Sequence, residues 1–376
     1  MRFIKNFSFL PTTLTLGLTL SVTLSLAGCG QNAMAGRGDE LAVNKIDGDF
    51  SVVVLGSGGP VATPVGRASA SYLIYIDGQA KVLMDAGGGA LLRLGQAGAD
   101  IKDLDVILLS HLHLDHMADM PAIVKSMYFN NRVYNVNQDP ITFPPGRTAP
   151  FHVYGPDTNG AAFPADVFPA DVLTDPTTPQ YPALSTFVNG QFDINNGINR
   201  YLNIFTRAIS GGIFKYTTDD VSPDWQHYNP VTIYKENGLV IKAVGVNHGP
   251  VPALAYRIEY KGKSVVYSGD TSSKGDNMIE ISRGADMLIY DNALFADTAP
   301  NATFNIFYAL HTTPARIGDV AKQADVKALI LSHITPQTEG HSEEIKDRIR
   351  QQGFEGFIKT ANDLDVYNLL GKKDHH

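Results

Sequence analysis

Asp105-Val106-Ile107-Leu108-Leu109-Ser110-His111-Leu112-His113-Leu114-Asp115-His116 is the stretch around which the chain is organised. Val106 to Leu109 is apolar and β-branched, which predicts a buried strand, and four metal-capable side chains follow in the loop at its end. His111 and His113 alternate as on a strand and can face one side, whereas Asp115 and His116 come after the chain has turned. One pair can serve one metal and the second pair another. Imidazoles with a single carboxylate suit zinc better than calcium or magnesium, which take mostly oxygen ligands. Packing and solvation give little reason for three His and one Asp within six positions.

Upstream, Phe50 to Leu55 predicts a strand, and Gly56-Ser57-Gly58-Gly59-Pro60 ends it in a tight turn. A dinucleotide-binding loop would need a helix next, but Ser69 to Ile76 reads as another strand. Lys81 to Asp85 predicts a third strand. Asp85 suits either orientation of a metal ligand or capping of the following glycine turn. Helices are expected at Ala90 to Ala97 and Met120 to Tyr128. Strands in hairpin-like succession with helices interposed fit an α/β protein of the layered αββα type, a four-layer sandwich, better than a doubly wound parallel sheet.

From 130 to 237, Pro, Asn, Gly, Asp and aromatic residues dominate, which predicts a long loop-rich insertion containing one clear strand, Phe151 to Tyr154. Phe187, Phe192, Tyr201, Phe205, Phe214, Tyr216, Trp225 and Tyr228 suit either a substrate pocket or a small core of the insertion itself. His152 and His227 stand alone and read as structural. Regular structure resumes at Leu239 to Val246, and Ala253 to Tyr260 with Lys263 to Tyr267 predicts a hairpin turning at Lys261-Gly262. Strands at Asp286 to Tyr290 and Lys327 to Leu331 follow. His248, Asp270, Asp291 and His333 therefore each lie just past a strand, where they can converge on one sheet edge. Thr313 and Pro314 open a helix, with His311 just before it, and another helix follows Ser342.

The chain has 376 residues, 44% hydrophobic, with 38 acidic against 30 basic residues and a formal net charge of -8. That balance argues against a nucleic-acid partner. Met1-Arg2-Phe3-Ile4-Lys5 and the uncharged Phe7 to Ala27 form a signal-peptide plan over 1–28. Leu26-Ala27-Gly28-Cys29 resembles a bacterial lipobox, so lipidation of Cys29, the sole cysteine, and anchorage at the periplasmic side of the membrane, with outer-membrane sorting, are expected. The competing reading is an uncleaved membrane anchor. Residues 29–48 read as a tether, 49–370 as the folded domain and 371–376 as a charged tail.

His111-x-His113-x-Asp115-His116, His248, Ser268-Gly269-Asp270-Thr271 and Ser332-His333 together resemble the metallo-β-lactamase superfamily over roughly residues 50 to 370. Leu55 to Pro60, Val251 to Arg257 and His311-Thr312-Thr313 are most similar to its ribonuclease Z and arylsulfatase branch. The resemblance implies an αββα fold and two zinc ions, with manganese or iron as substitutes. It implies His111, His113 and His248 on the first metal, Asp115, His116 and His333 on the second, and Asp270 bridging. It also implies a catalytic pair, Asp291 and His311, although Tyr290-Asp291-Asn292-Ala293 stands where the branch has His-Glu-Ala.

Two metals about 3.5–4 Å apart can share a hydroxide and hold a tetrahedral ester. The resemblance thus implies that Asp115 and Asp270 serve both as ligands and in catalysis. The export signal, the acidic balance and the lack of a basic arm direct the expectation to a small-molecule ester, a phosphodiester or aryl sulfate, with no nucleic acid; if the chain oligomerises, a dimer is the expected form. Ring hydrolysis of a lactone or β-lactam is the alternative reading, and a non-catalytic envelope binding lipoprotein the second.

Overall fold

The computed structural model describes residues 46–130, 149–159, 181–192, 197 and 216–370. The leader, Cys29, most of the tether, the tail, Tyr201, Phe205 and Phe214 lie outside the described residues. The strands are β1 (Phe50–Gly56), β2 (Ser71–Ile76), β3 (Gln79–Met84), β4 (Val106–Leu108), β5 (Phe151–Pro156), β6 (Tyr216–Val221) and β7 (Val231–Glu236). They continue with β8 (Leu239–His248), β9 (Val251–Tyr260), β10 (Lys263–Tyr267), β11 (Met287–Asp291), β12 (Ala328–Ser332), β13 (Phe357–Thr360) and β14 (Val366–Leu370). The helices are α1 (Ala90–Gln96), α2 (Leu114–Met117), α3 (Met120–Asn130), α4 (Leu184–Phe192), α5 (Asn277–Ser282), α6 (Asn305–Leu310), α7 (Pro314–Gln323) and α8 (Ser342–Gln351).

One sheet runs β14, β1, β2, β3, β4, β5, β6 and the other β13, β12, β11, β10, β9, β8, β7. Both follow one plan. Antiparallel strands, β14 to β3 in the first sheet and β7 to β10 in the second, feed a parallel set, β3 to β6 and β10 to β13. The hairpin at Lys261-Gly262 forms as its sequence predicts, with both residues at positive φ and Tyr260 paired to Lys263.

Strand alternation builds the layers. Val52 and Val54 of β1 point inward with Ile74, Tyr256, Ile258 and Ile289 into a core between the sheets. Val53 and Leu55 point outward to pack with Leu94 of α1, Ile123 and Val124 of α3 and Leu184 and Val188 of α4. On the far side, Val266 and Leu288 meet Ile317 and Val320 of α7 and Ile345 and Ile349 of α8. The result is the expected sandwich of two sheets between helical layers. Each fully buried aliphatic side chain contributes roughly 1.5–3 kcal/mol, so three such clusters give the strand ends a rigid base.

The stretch from 130 to 237 is more ordered, where described, than its composition suggests. It gives β5 and β6 to the first sheet, β7 to the second and α4 to the outer layer. β6 was illegible because Tyr216-Thr217-Thr218-Asp219-Asp220-Val221 is a polar edge strand, largely exposed. β7 carried an unused signal: Asn237-Gly238 closes the β7–β8 hairpin with both residues at positive φ. Phe192 is buried and packs edge-on to Tyr216, so part of the aromatic set is core.

Three buried tyrosines cross between the sheets at the end where the metal-capable residues lie. Tyr72 donates to Ser332 Oγ at 2.6 Å, Tyr256 to the Leu109 carbonyl at 2.7 Å and Tyr267 to Asp85 Oδ2 at 2.7 Å. The Leu254 amide adds a backbone bond to the Ser110 carbonyl at 2.9 Å. Each bond fixes one sheet against the other beside a strand end that carries a site residue.

Candidate metal centre

The candidate ligands arrive from strand ends of both sheets. His111 and His113 follow β4, and Asp115 and His116 lie on the single turn of α2. His248 ends β8, Asp270 follows β10, Asp291 ends β11 and His333 follows β12. Two glycines make this convergence possible. Gly269 has φ 56°, and a Cβ there would meet the Leu254 carbonyl oxygen at 2.7 Å and Ser110 Cβ at 2.8 Å. A Cβ on Gly59 would meet the His333 ring at 2.9 Å, so the turn after β1 lies against that ligand.

Three overlapping groups of donors form among the described residues, the third being Asp270, Asp291, His311 and His333, and the first two hold the residues expected on the metals. In the first, His113 Nδ1 lies 2.9 Å from His111 Nε2 and 3.4 Å from His248 Nε2. In the second, His116 Nε2 lies 3.3 Å from both Asp115 Oδ2 and Asp270 Oδ1. His333 Nε2 lies 3.1 Å from Asp115 Oδ2 and 3.2 Å from Asp270 Oδ2. Asp270 Oδ2 is also 3.9 Å from both His111 Nε2 and His248 Nε2, placing it between the groups.

Donors on a tetrahedral zinc at ~2.0–2.1 Å stand about 3.3 Å apart, the spacing seen here. His116 Nε2 and Asp270 Oδ1 are buried without a hydrogen-bond partner despite their proximity. Atoms that converge without bonding one another are arranged for a common cation, so the residues fit a divalent metal, with zinc the typical ion for this donor set.

Charge separates the groups. Burial holds His111 well below the ordinary imidazole pKa and His248 down to about 3, so both are neutral and ligand-ready. Burial also opposes charge on His116 and His333, but the Asp270, Asp115 and Asp85 carboxylates around His116, and Asp270, Asp115 and Asp291 around His333, outweigh it. His116 rises well above the ordinary value and His333 to about 10. Without a metal these two imidazoles are protonated at neutral pH, and a cation must displace their protons. Zinc titrated into metal-free protein at pH 7.5 should therefore release protons, seen as heats that vary with buffer ionisation enthalpy. Affinity should rise from pH 6.5 toward 10 and fall on acidification. Heats independent of buffer would contradict this.

Asp85 orients a ligand. It has φ 54° and is fully buried. Its carboxylate lies 2.6 Å from His116 Nδ1 and accepts from the Ser110 amide and hydroxyl, each at 2.7 Å, and from Tyr267. This fixes His116 with Nε2 toward the metal position. His248 is fixed the same way, Nδ1 donating to the Leu310 carbonyl at 2.8 Å. Asp85→Ala should weaken zinc binding or activity about 10–100-fold, read by competition with a chromogenic chelator. Unchanged affinity would show that Asp85 only ends the turn.

Beyond the second group, His311 Nδ1 lies 2.7 Å from Asp291 Oδ2 and 4.0 Å from Asp270 Oδ2. Burial alone would lower the His311 pKa, but Asp291 more than compensates and holds it above the ordinary value. Every residue predicted for the site is thus in one place, including Asp291 despite the altered motif around it. His152, bonded to Thr217, and the exposed His227 stand apart as expected. The orienting bonds of Ser110 and Tyr267 to Asp85 had no sequence signal, because they depend on neighbours distant along the chain.

Fold and centre together define a metal-dependent hydrolase built on an αββα sandwich. The family model described as the metallo-beta-lactamase superfamily matches residues 64–304, and the chain belongs to that superfamily. A ribonuclease Z from Mycobacterium bovis is 25% identical over 318 residues, spanning 84% of this chain and 96% of that enzyme. The structure of the short form of human tRNase Z superposes with a TM-score of 0.55 at 18% identity, covering 85% of this chain and 99% of that one. Zinc-bound PqqB from Methylobacterium extorquens gives 0.53 at 14% identity, covering 85% and 100%. These relatives correct the expectation of a small-molecule substrate and no nucleic-acid partner, since the sequence relatives are ribonucleases. Net charge misled because it averages the whole surface, whereas nucleic acid meets a local field.

Proposed function

We propose that the chain is a ribonuclease Z-like phosphodiesterase that cuts RNA at two divalent metals. The observation that carries this reading is Asp270, placed between two donor groups, with the Asp291–His311 pair beside it. His111, His113 and His248 would hold one cation, Asp115, His116 and His333 the other, and Asp270 would contact both. Cations so held supply positive charge to phosphoryl oxygens and acidify water. Asp85 and the Leu310 carbonyl keep His116 and His248 in register for them. His311, charged through its contact with Asp291, gives its Nε2 proton to the departing oxygen. The leader supports an exported enzyme, so its RNA would be met outside the cytoplasm.

The reading is tested by rates on an aryl phosphodiester and a chromogenic β-lactam at equal zinc content. Phosphodiester hydrolysis that disappears in His248→Ala supports it. Turnover of the β-lactam alone would replace it with ring hydrolysis.

A further inference from the structure

An apolar pocket lies beside the metal centre and shares His113 with it. Its volume is about 160 Å³, and it is lined by Leu112 and His113 of the histidine loop, Pro156 at the end of β5, Val251 at the start of β9, and the rings of Tyr181 and Phe187. His113 is itself a candidate ligand, so the pocket adjoins the centre through that side chain. Phe187 and Tyr181 are half-buried, each with ring surface left to the cavity.

Size decides what the pocket takes. A cavity of about 150 Å³ accommodates a benzene ring, so this one holds a single flat ring and is too small for a whole nucleoside. Its walls offer almost no hydrogen-bonding groups, so recognition is by stacking and exclusion of water, which any base satisfies. We propose that this pocket binds the base of one nucleotide flanking the scissile phosphodiester, with Phe187 and Tyr181 as its aromatic walls. The inference rests on the phosphodiesterase reading and adds a specificity element: RNA is held by one unstacked base beside the cut, with little dependence on base identity.

The test uses zinc-loaded protein and three RNAs of one sequence: intact, abasic 5′ of the cut, and abasic 3′ of it. One of the abasic RNAs should lose about 5- to 100-fold in kcat/KM, while the other behaves as intact RNA. Phe187→Leu keeps an apolar side chain packed on α4 but removes the flat ring. It should lower kcat/KM on intact RNA by a similar factor at unchanged zinc content and add little on the sensitive abasic RNA. Tyr181→Leu supplies a second variant should Phe187→Leu misfold. Equal cleavage of all three RNAs, or a Phe187→Leu loss that persists undiminished on the abasic substrate, overturns the base pocket alone. No cleavage of any RNA by zinc-loaded wild type overturns the phosphodiesterase reading and the pocket with it.

Discussion

Asp270→Ala is expected to lower phosphodiester hydrolysis by ~10³-fold or more, because the interaction of a two-metal site with a phosphoryl group contributes several kcal/mol. The carboxylate is 2% exposed, with His116 and His333 at 3.2–3.3 Å and His111 and His248 at 3.9 Å. Among the described residues, Asp270 is the carboxylate that lies within 4 Å of ligand nitrogens of both donor groups. The substitution also removes the charge that offsets protonated His116 and His333, so the metal-free variant should melt below the metal-free wild type. Asp270→Asn separates the effects by keeping the shape and losing the charge. A variant that keeps full zinc content and full turnover would show that Asp270 is not the shared ligand.

His311→Ala should act differently, costing about 10²–10⁴-fold in turnover while leaving zinc content unchanged. Its Nδ1 is held by Asp291 at 2.7 Å, so its role lies toward substrate rather than metal. Because Asp291 raises its pKa, the acid form persists to higher pH than in an ordinary imidazole, and wild-type kcat/KM should fall on the alkaline side as His311 loses its proton. His311→Ala should lack that fall. An aryl phosphodiester, whose leaving group departs without protonation, should be far less affected than RNA. Equal losses on both substrates would remove the acid role, and lost zinc would make His311 a ligand.

The ligand set was legible because His111, His113, His248, Asp270 and His333 each lie just past an apolar run, and such runs predict buried strands whose ends share an edge, while Asp115 and His116 follow in the same histidine-rich loop. Asp85 was only half legible. Its sequence position marks a turn, but its hold on His116 depends on β3 lying beside β4 and on Tyr267 crossing from the other sheet. β13 and β14 went unread because their residues are only partly buried and their patterns weak, and β14 finds its partner β1 roughly the whole domain away. The aromatic residues between 130 and 237 could not be sorted by composition. The fold buries Phe192 in the core, while Phe187 packs against that core partly buried and also lines the pocket beside His113.

The most direct test of the central claim is cleavage of a structured RNA by zinc-loaded protein, with Asp270→Ala in parallel. The account predicts a cut at a defined phosphodiester by wild type and none by the variant. Full zinc occupancy in wild type with the RNA left intact would contradict it.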